Sequence, residues 1–330
     1  LALADGHATD AALHFDRALS LESPQGWNEL QQAYLERAVL EGRTTVAERR
    51  GDWKQASELY QQQVAARPKN AKLRDRFAMA LFHAGELDRA FEQFDLSRLQ
   101  DASMNPPEVS MAVMYVRKRN YEASDEWFAK ALEKYEGEAA VHFEHSIAML
   151  YQDRTQEAAA SAAKAQELGM DTELLKMHRG LIALQHGDTS EAAKQFEKVL
   201  RESPDHVGAM TNLALLLSER KTESDLRRAQ ALAEKAGQAQ PNSPEVGAVL
   251  GWVYYRNGRE NDAQNLLRAA AAQSRRNPLS LFLYGRMLIA ERKNDEAKQV
   301  AEVLKQRLEQ PGLFVFRPAA RRWVEKVLNS

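Results

Sequence analysis

Residues 71–94 read AKLRDRFAMALFHAGELDRAFEQF, and this stretch decides the fold. Phe77, Ala78 and Leu81 recur at helical spacing, Gly85 interrupts, and Leu87, Ala90 and Phe94 resume the same spacing. A glycine between two amphipathic runs fits a residue that ends one helix at positive φ before the next begins. The segment therefore predicts two helices of roughly a dozen residues with a tight turn between them. Neither helix can bury its apolar face alone, so the pair needs neighbours.

Working outward, the small residue Ala90 belongs to a series running Ala11, Ala56, Ala90, Ser124, Ala158, Ala192, Ala229, Ala263 and Ala297. The steps are 45, 34, 34, 34, 34, 37, 34 and 34 residues, so one period governs the chain. Five residues upstream lies a turn series: Gly6, Gly51, Gly85, Arg119, Asp153, Gly187, Gly258 and Arg292. Seven residues downstream lies a second, mostly small series: Ala18, Gln63, Ser97, Ala131, Ala165, Val199, Ala236, Ala270 and Leu304. Small side chains there are what close approach of two helices requires. Pro68, Pro204 and Pro241 fall where each second helix must stop.

A 34-residue period with a large–small pair, Gly, Ala, an aromatic and Pro resembles the tetratricopeptide repeat family, in its bacterial-type multi-repeat form. Leu250-Gly251 with Tyr254, Gly258, Ala263 and Leu267 carries the resemblance best, and Leu213-Ala214 and Tyr284-Gly285 also fit. The resemblance covers about residues 1–310. It implies an all-α fold: an α-solenoid of stacked antiparallel helix pairs in a right-handed superhelix, with a C-terminal capping helix. The expected organisation is one array over 1–330 with about eight to nine repeats. Within it, 1–23 is a truncated first repeat, 24–68 an irregular repeat with an insertion, 69–310 the regular repeats and 311–330 the cap.

The irregular steps carry expectations of their own. Leu1–Asp5 read as the end of a helix, which predicts a chain that begins inside a longer protein. Trp27, Leu30 and Tyr34 read as an ordinary first helix, placing the eleven surplus residues around Arg37 to Arg50, where they lengthen that helix or add a short extra turn at Gly42. The 37-residue step places three extra residues in the inter-helix loop near Lys221 to Arg228. Beyond Pro311 the register stops; Pro318 with Trp323, Val324 and Leu328 predicts the capping helix.

Composition excludes several function classes. The 330 residues hold 45 Lys plus Arg against 47 Asp plus Glu, a balance that argues against a nucleic-acid or anionic-membrane surface. Arg227/Arg228 and Arg275/Arg276 are too isolated to form a basic stripe. With no Cys, the chain has no disulfide, thiol nucleophile or Cys-based metal site, and the cytoplasm and periplasm stay equally open. No apolar run is long enough to span a bilayer. Phosphate-binding glycine loops and a nucleophile elbow are missing, so no catalytic residues and no cofactor are expected. His142, Glu144 and His145 are the one cluster with metal-ligand spacing; a hydrogen-bonded histidine pair is the favoured reading, with His142 and His145 as weak metal candidates. Glu133, Glu136 and Glu138 read as a solvated helix end. Arg317, Arg321 and Arg322 either grip an acidic partner or form the polar face of the cap.

In the family resembled, the first helix of each pair lines the concave surface. That places Arg76, Met79, Phe82 and His83, then Val113 and Arg117, then Phe143 and Tyr151 on the inner face. His178, Thr211 and Asn212 follow, then Trp252, Tyr255, Arg256 and Phe282. A mixed aromatic and cationic lining suits a peptide segment or partner protein. Tyr151, Tyr255 and Arg256 are the expected anchors, with Trp252 and Phe143 equally readable as core. The family's carboxylate clamp has only Asn212 in place here, with His178 where its partner would be. The expected function is a non-enzymatic scaffold for protein–protein interaction, in an envelope or secretion assembly. The alternatives are a self-assembling structural array and, last, the regulatory region of a larger enzyme.

Overall fold

The computed structural model describes residues 17, 27–220, 222–273, 278–310 and 313–330. Apart from Arg17, the truncated first repeat lies outside the described residues, as do Arg275 and Arg276. Seventeen helices are described, with no strand among the described residues. In chain order they are α1 (Glu29–Arg50), α2 (Trp53–Ala66), α3 (Ala71–Ala84), α4 (Leu87–Gln100), α5 (Pro107–Lys118) and α6 (Tyr121–Lys134). Next come α7 (Ala139–Tyr151), α8 (Thr155–Glu167), α9 (Glu173–His186), α10 (Thr189–Glu202), α11 (Val207–Glu219) and α12 (Glu223–Ala239). The last are α13 (Pro244–Arg256), α14 (Glu260–Gln273), α15 (Leu279–Ala290), α16 (Asn294–Leu308) and α17 (Arg317–Leu328). The odd-numbered helices up to α15 are the first of each pair, the even-numbered ones the second. The result is an all-α repeat solenoid.

The turn register is realised at the backbone. Gly51, Gly85, Gly187 and Gly258 have φ between 71 and 90°, and Arg119, Asp153 and Arg292 adopt φ of 60–61° at the equivalent places. Among the described residues these three are the only non-glycine ones at positive φ. The repeat geometry thus imposes the left-handed conformation even where no glycine supplies it. Helix starts are capped by side chains as the composition allows: Asp52, Asn70, Asn120, Thr172, Asp188, Thr222 and Ser243 each accept from a backbone N–H three residues on.

Both small-residue series are buried. Ala56, Ala90, Ser124, Ala158, Ala192, Ala229, Ala263 and Ala297 are fully inaccessible. In the second series Ser97 is used as a fastener, its hydroxyl donating 2.8 Å to Ala71 O on the preceding helix. Gln63 does the same work towards Thr44, at 2.7 Å. Ser124 is the exception. It is buried where its counterparts are alanine, and its Oγ finds no hydrogen-bond partner. Ser124→Ala is therefore expected to stabilise by about 0.5–2 kcal/mol, because it removes a buried unpaired hydroxyl and improves helix propensity. A lower urea midpoint for the variant would contradict this.

The irregular steps resolve differently from expectation. The eleven extra residues lengthen the first helix, as one of the two alternatives had it, but at its N-terminal side and not around Arg37 to Arg50. The packed residues of α1 are Val39, Gly42, Thr44, Val46 and Ala47, immediately before Gly51, whereas Leu30 and Tyr34 are 79% and 75% exposed. Burial is set by distance from the turn, because only that part of α1 faces α2. Likewise the 37-residue step lengthens α12 to 17 residues instead of its inter-helix loop, with Thr222 as N-cap; Lys221 lies outside the described residues. The capping helix forms with Pro318 in its first turn. Arg317 does not reach out to a partner: it is buried and donates to Leu308 O. Arg321 and Arg322 are exposed.

The helix pairs gather into two compact units, residues 1–144 and 145–330, the division falling inside α7. Each is described by itself below.

Candidate functional site

In the first unit, α3 and α5 carry the groove residues. Arg76 is exposed; it pairs with Glu48 at 3.2 Å and lies 5.5 Å from the centre of the Tyr60 ring. Phe82 is fully buried and meets Tyr115 edge-on at 4.9 Å, so it is core, not groove. Phe143 is buried as well. The cause is common to both: a first helix is flanked by its own partner and by neighbouring pairs, so most of its large side chains are enclosed. His83 is half-buried and stacks on Trp53 at 4.2 Å; burial, with Lys118 and Arg117 nearby, pushes its pKa down. Lys118 in turn sits 4.8 Å over the Phe82 ring.

Arg117 is exposed at the end of α5, with its guanidinium 3.9 Å from the half-buried Met79 sulfur. Asp75, which sequence reasoning passed over, and Glu144, which it singled out only for metal-ligand spacing, complete this place. Burial pushes the Asp75 carboxyl up to about 6, and Arg117 offsets this only partly. Burial raises Glu144 too, with Arg117 and a hydrogen bond from Asn105 acting in the opposite sense. Yet among the described residues no carboxylate lies within ion-pair distance of Arg117. A carboxylate inside an amphipathic helix reads as solvated, so no sequence signal marked Asp75 or tied Glu144 to Arg117.

The raised Asp75 sets a sign that can be measured. Its folded pKa lies above the unfolded value of 3.8, so stability present at low pH is lost as pH rises from about 4 to about 6, where the unfolded chain ionises first, and the loss is complete above that. Asp75→Asn removes that cost. It is expected to stabilise by about 1–3 kcal/mol near pH 7.5, the gain fading as pH falls through about 6 and vanishing below about 4. Urea midpoints of both proteins across that range test it; an equal gain at every pH would contradict it.

In the second unit the cationic and aromatic residues close on one another. Glu219, at the end of α11, accepts from Trp252 Nε1 at 3.1 Å and from Arg286 at 2.7 and 3.2 Å, and pairs with Arg256 at 3.6 Å. Arg286 lies 4.2 Å above the Trp252 ring. Trp252 is only 3% exposed, and the half-buried Tyr255 ring lies 5.6 Å away. A cavity of about 530 Å³ beside them is lined by Tyr255, Arg256, Arg286 and Trp323. Adding one 34-residue period to Trp252 lands on Arg286, so this partner was findable by register. Glu219 sits a near-period upstream.

The remaining expected residues separate. Tyr151 is 46% exposed. His178 is buried against Ser146, and Phe282 is buried as well, so neither is a groove anchor. Asn212 and Thr211 donate to carbonyls of their own helix, Gly208 O and Val207 O, both at 2.8 Å. A clamp for a carboxylate therefore loses the amide that would serve it. His142 Nε2 is 2.8 Å from Glu136 O, and His145 Nδ1 is 2.7 Å from Ser161 Oγ; the two rings engage different partners. No cluster of three metal-ligating side chains occurs among the described residues, and no described helix is long and apolar enough to cross a membrane.

Comparison with known proteins agrees with the repeat fold. A family model described as tetratricopeptide repeat matches residues 44–103 and 178–244. One described as anaphase-promoting complex, cyclosome, subunit 3 matches residues 223–303. A TPR repeat-containing protein of Pseudomonas aeruginosa is 30% identical over 92 residues, which span 28% of this chain and 15% of that protein. Among solved structures, a tetratricopeptide repeat protein from Parabacteroides merdae superposes with a TM-score of 0.57 at 13% identity, over 79% of this chain and 99% of that one. Pseudomonas aeruginosa PilF superposes at 0.52 with 18% identity, over 68% and 99%. A chain of the Cut9–Hcn1 hetero-tetramer superposes at 0.51 with 15% identity, over 76% and 49%. At such identities the likeness concerns the fold. Period, turn register, buried small residues and the matching family models converge on a tetratricopeptide repeat protein.

Proposed function

We propose that this chain is a non-enzymatic scaffold that holds a segment of a partner protein against the first helices of its repeats, with the Arg117 face of the first unit as the docking place. The fold is one that serves protein–protein interaction generally. One observation carries the finer reading: Arg117 stands exposed without an ion pair among the described residues, near two carboxyls whose ionisation burial disfavours. Structural ion pairs neutralise themselves, as Glu219 and Arg286 do in the second unit. Charges kept apart at a stability cost are characteristic of sites that wait for a ligand. Arg117 would take an acidic group of the partner, and Met79 would supply an adaptable apolar contact. As setting we propose an envelope or secretion assembly, on the resemblance to bacterial-type arrays alone.

Capture from the source cell tests the proposal, comparing wild type, an Arg117→Glu, Met79→Lys variant and a Tyr255→Ala, Arg256→Glu variant. The first variant is expected to lose at least about tenfold in recovery of a partner, as a charged interface anchor does when reversed. Equal recovery by wild type and that variant would sink the first-unit site; loss confined to the second variant would move docking to the second unit. A mass that stays monomeric with rising concentration would set the scaffold apart from a self-assembling array.

A further inference from the structure

A terminal cap needs only to cover the last helix pair. Part of the C-terminal segment does so. A Cβ on Gly285 of α15 would come within 2.3 Å of the Trp323 ring, and Val324 and Val327 are buried in the same core. The residues before them go further. Leu313–Phe316 form a non-helical run that closes in a turn, Arg317 N–H donating 2.9 Å to Phe314 O, and enters α17.

That run reaches helices far upstream. Val315, Phe316 and Pro318 line one cavity of about 530 Å³. Its other walls are Leu184 at the end of α9, Leu215 and Leu216 of α11, and Phe282 of α15. Those are first helices of three different repeats, the surface on which arrays of this kind present a groove. Beyond the cavity, buried Arg317 turns its Nε to within 3.9 Å of Asp153, in the turn that follows α7. Asp153 is itself held by Gln185 of α9, at 2.7 Å. A side chain 164 positions downstream thus meets an early turn of the unit, which covering α16 does not require.

We propose that the run Leu313–Pro318 is an internal ligand: it occupies a peptide groove of the second unit, and a partner of the same chemistry displaces it. That chemistry is readable from the occupant. The groove takes a short apolar–aromatic run whose side chains form one wall of the cavity, followed by an arginine with its Nε near Asp153 and the start of a helix. The cavity is of the size that ligand pockets have, and its lining joins leucines and phenylalanines to polar groups such as Gln185, Glu219 and Arg286. An occupant tethered through the chain competes at an effective concentration in the millimolar range, so the groove is closed to weak ligands and open to strong ones. This is independent of the first-unit site proposed above.

The test uses the full chain with a protease-cleavable sequence inserted after Gln310, and a fluorescent synthetic peptide of residues 313–330 as probe. Cutting ends the tether, so the cleaved protein is expected to take up the probe with at least about tenfold higher apparent affinity than the uncut protein. Peptides carrying Val315→Asp, Phe316→Asp or Arg317→Glu are expected to fall at least about tenfold below the parent peptide. Equal uptake before and after cutting would overturn the proposal, as would no uptake by a cleaved protein that keeps its helical circular dichroism. Loss of helicity on cutting would also overturn it, since the segment would then be a structural cap.

Discussion

Acidification from about pH 6.5 to about pH 4 is expected to remove about 3 kcal/mol from the stability of the second unit through one side chain, His178. His178 is buried in α9, and burial pushes its pKa down to about 4, offset in part by hydrogen bonding to Ser146. Hydrogen counting assigns the tautomer. The Ser146 hydroxyl spends its one hydrogen on Ala158 O at 2.6 Å, so across the 2.9 Å contact it accepts from His178 Nε2. A second proton would make a buried imidazolium. Above pH 6.5 neither state binds that proton and stability is flat. Between 6.5 and 4 only the unfolded chain binds it, so stability falls as pH falls; below 4 both states bind it and the loss stops. His178→Gln keeps a donor amide and removes the titration, and its stability is expected to be flat across the window. The readout is local, hydrogen exchange of the α9 amides, because Asp75 in the first unit carries the opposite slope. An unchanged slope in His178→Gln would assign the acid sensitivity elsewhere.

The turns and close contacts were legible because each is a local demand that recurs in repeat after repeat. A residue five positions before a small one must turn the chain, and it does so at Arg119, Asp153 and Arg292 as well as at the glycines. The division of large side chains into groove and core was much less legible. The first helices α7, α11 and α15 are apolar nearly all round, since neighbours flank them on several sides, and periodicity then points nowhere. Phe282 of α15 was lost to the core for that reason, Phe82 and His178 because neighbouring helices enclose α3 and α9 as well, and Phe143 and Trp252, readable either way, fall in the core. Arg286 was recoverable by adding one period to Trp252. Asp75 was not, because what distinguishes it is burial by other helices. The placement of Leu313–Pro318 was least legible of all: past the last repeat no register relates it to Leu184 or Asp153, and only the folded chain brings them together.

The interlock of Gly180 with Phe196 is expected to produce the largest stability effect and a reversal of sign. A Cβ on Gly180 of α9 would lie 2.5, 2.8 and 3.0 Å from three ring atoms of Phe196, which is fully buried on α10. Helix propensity favours alanine over glycine by about 1 kcal/mol. Overpacking a ring that has nowhere to move costs about 1–3 kcal/mol, so the clash wins and Gly180→Ala destabilises. Phe196→Ala opens the cavity instead and is expected to cost about 3–5 kcal/mol. With the ring gone, the added methyl meets no obstacle, and Gly180→Ala in the Ala-substituted background should stabilise by up to about 1 kcal/mol. Gly247 of α13 supplies the control. A Cβ there would meet nothing within 4 Å, so Gly247→Ala should stabilise in both backgrounds. Urea unfolding of the single and double variants reads the cycle directly. Additive effects of the two substitutions would show that Phe196 does not rest on Gly180, and with that the physical reason for a glycine inside this repeat's first helix would be gone.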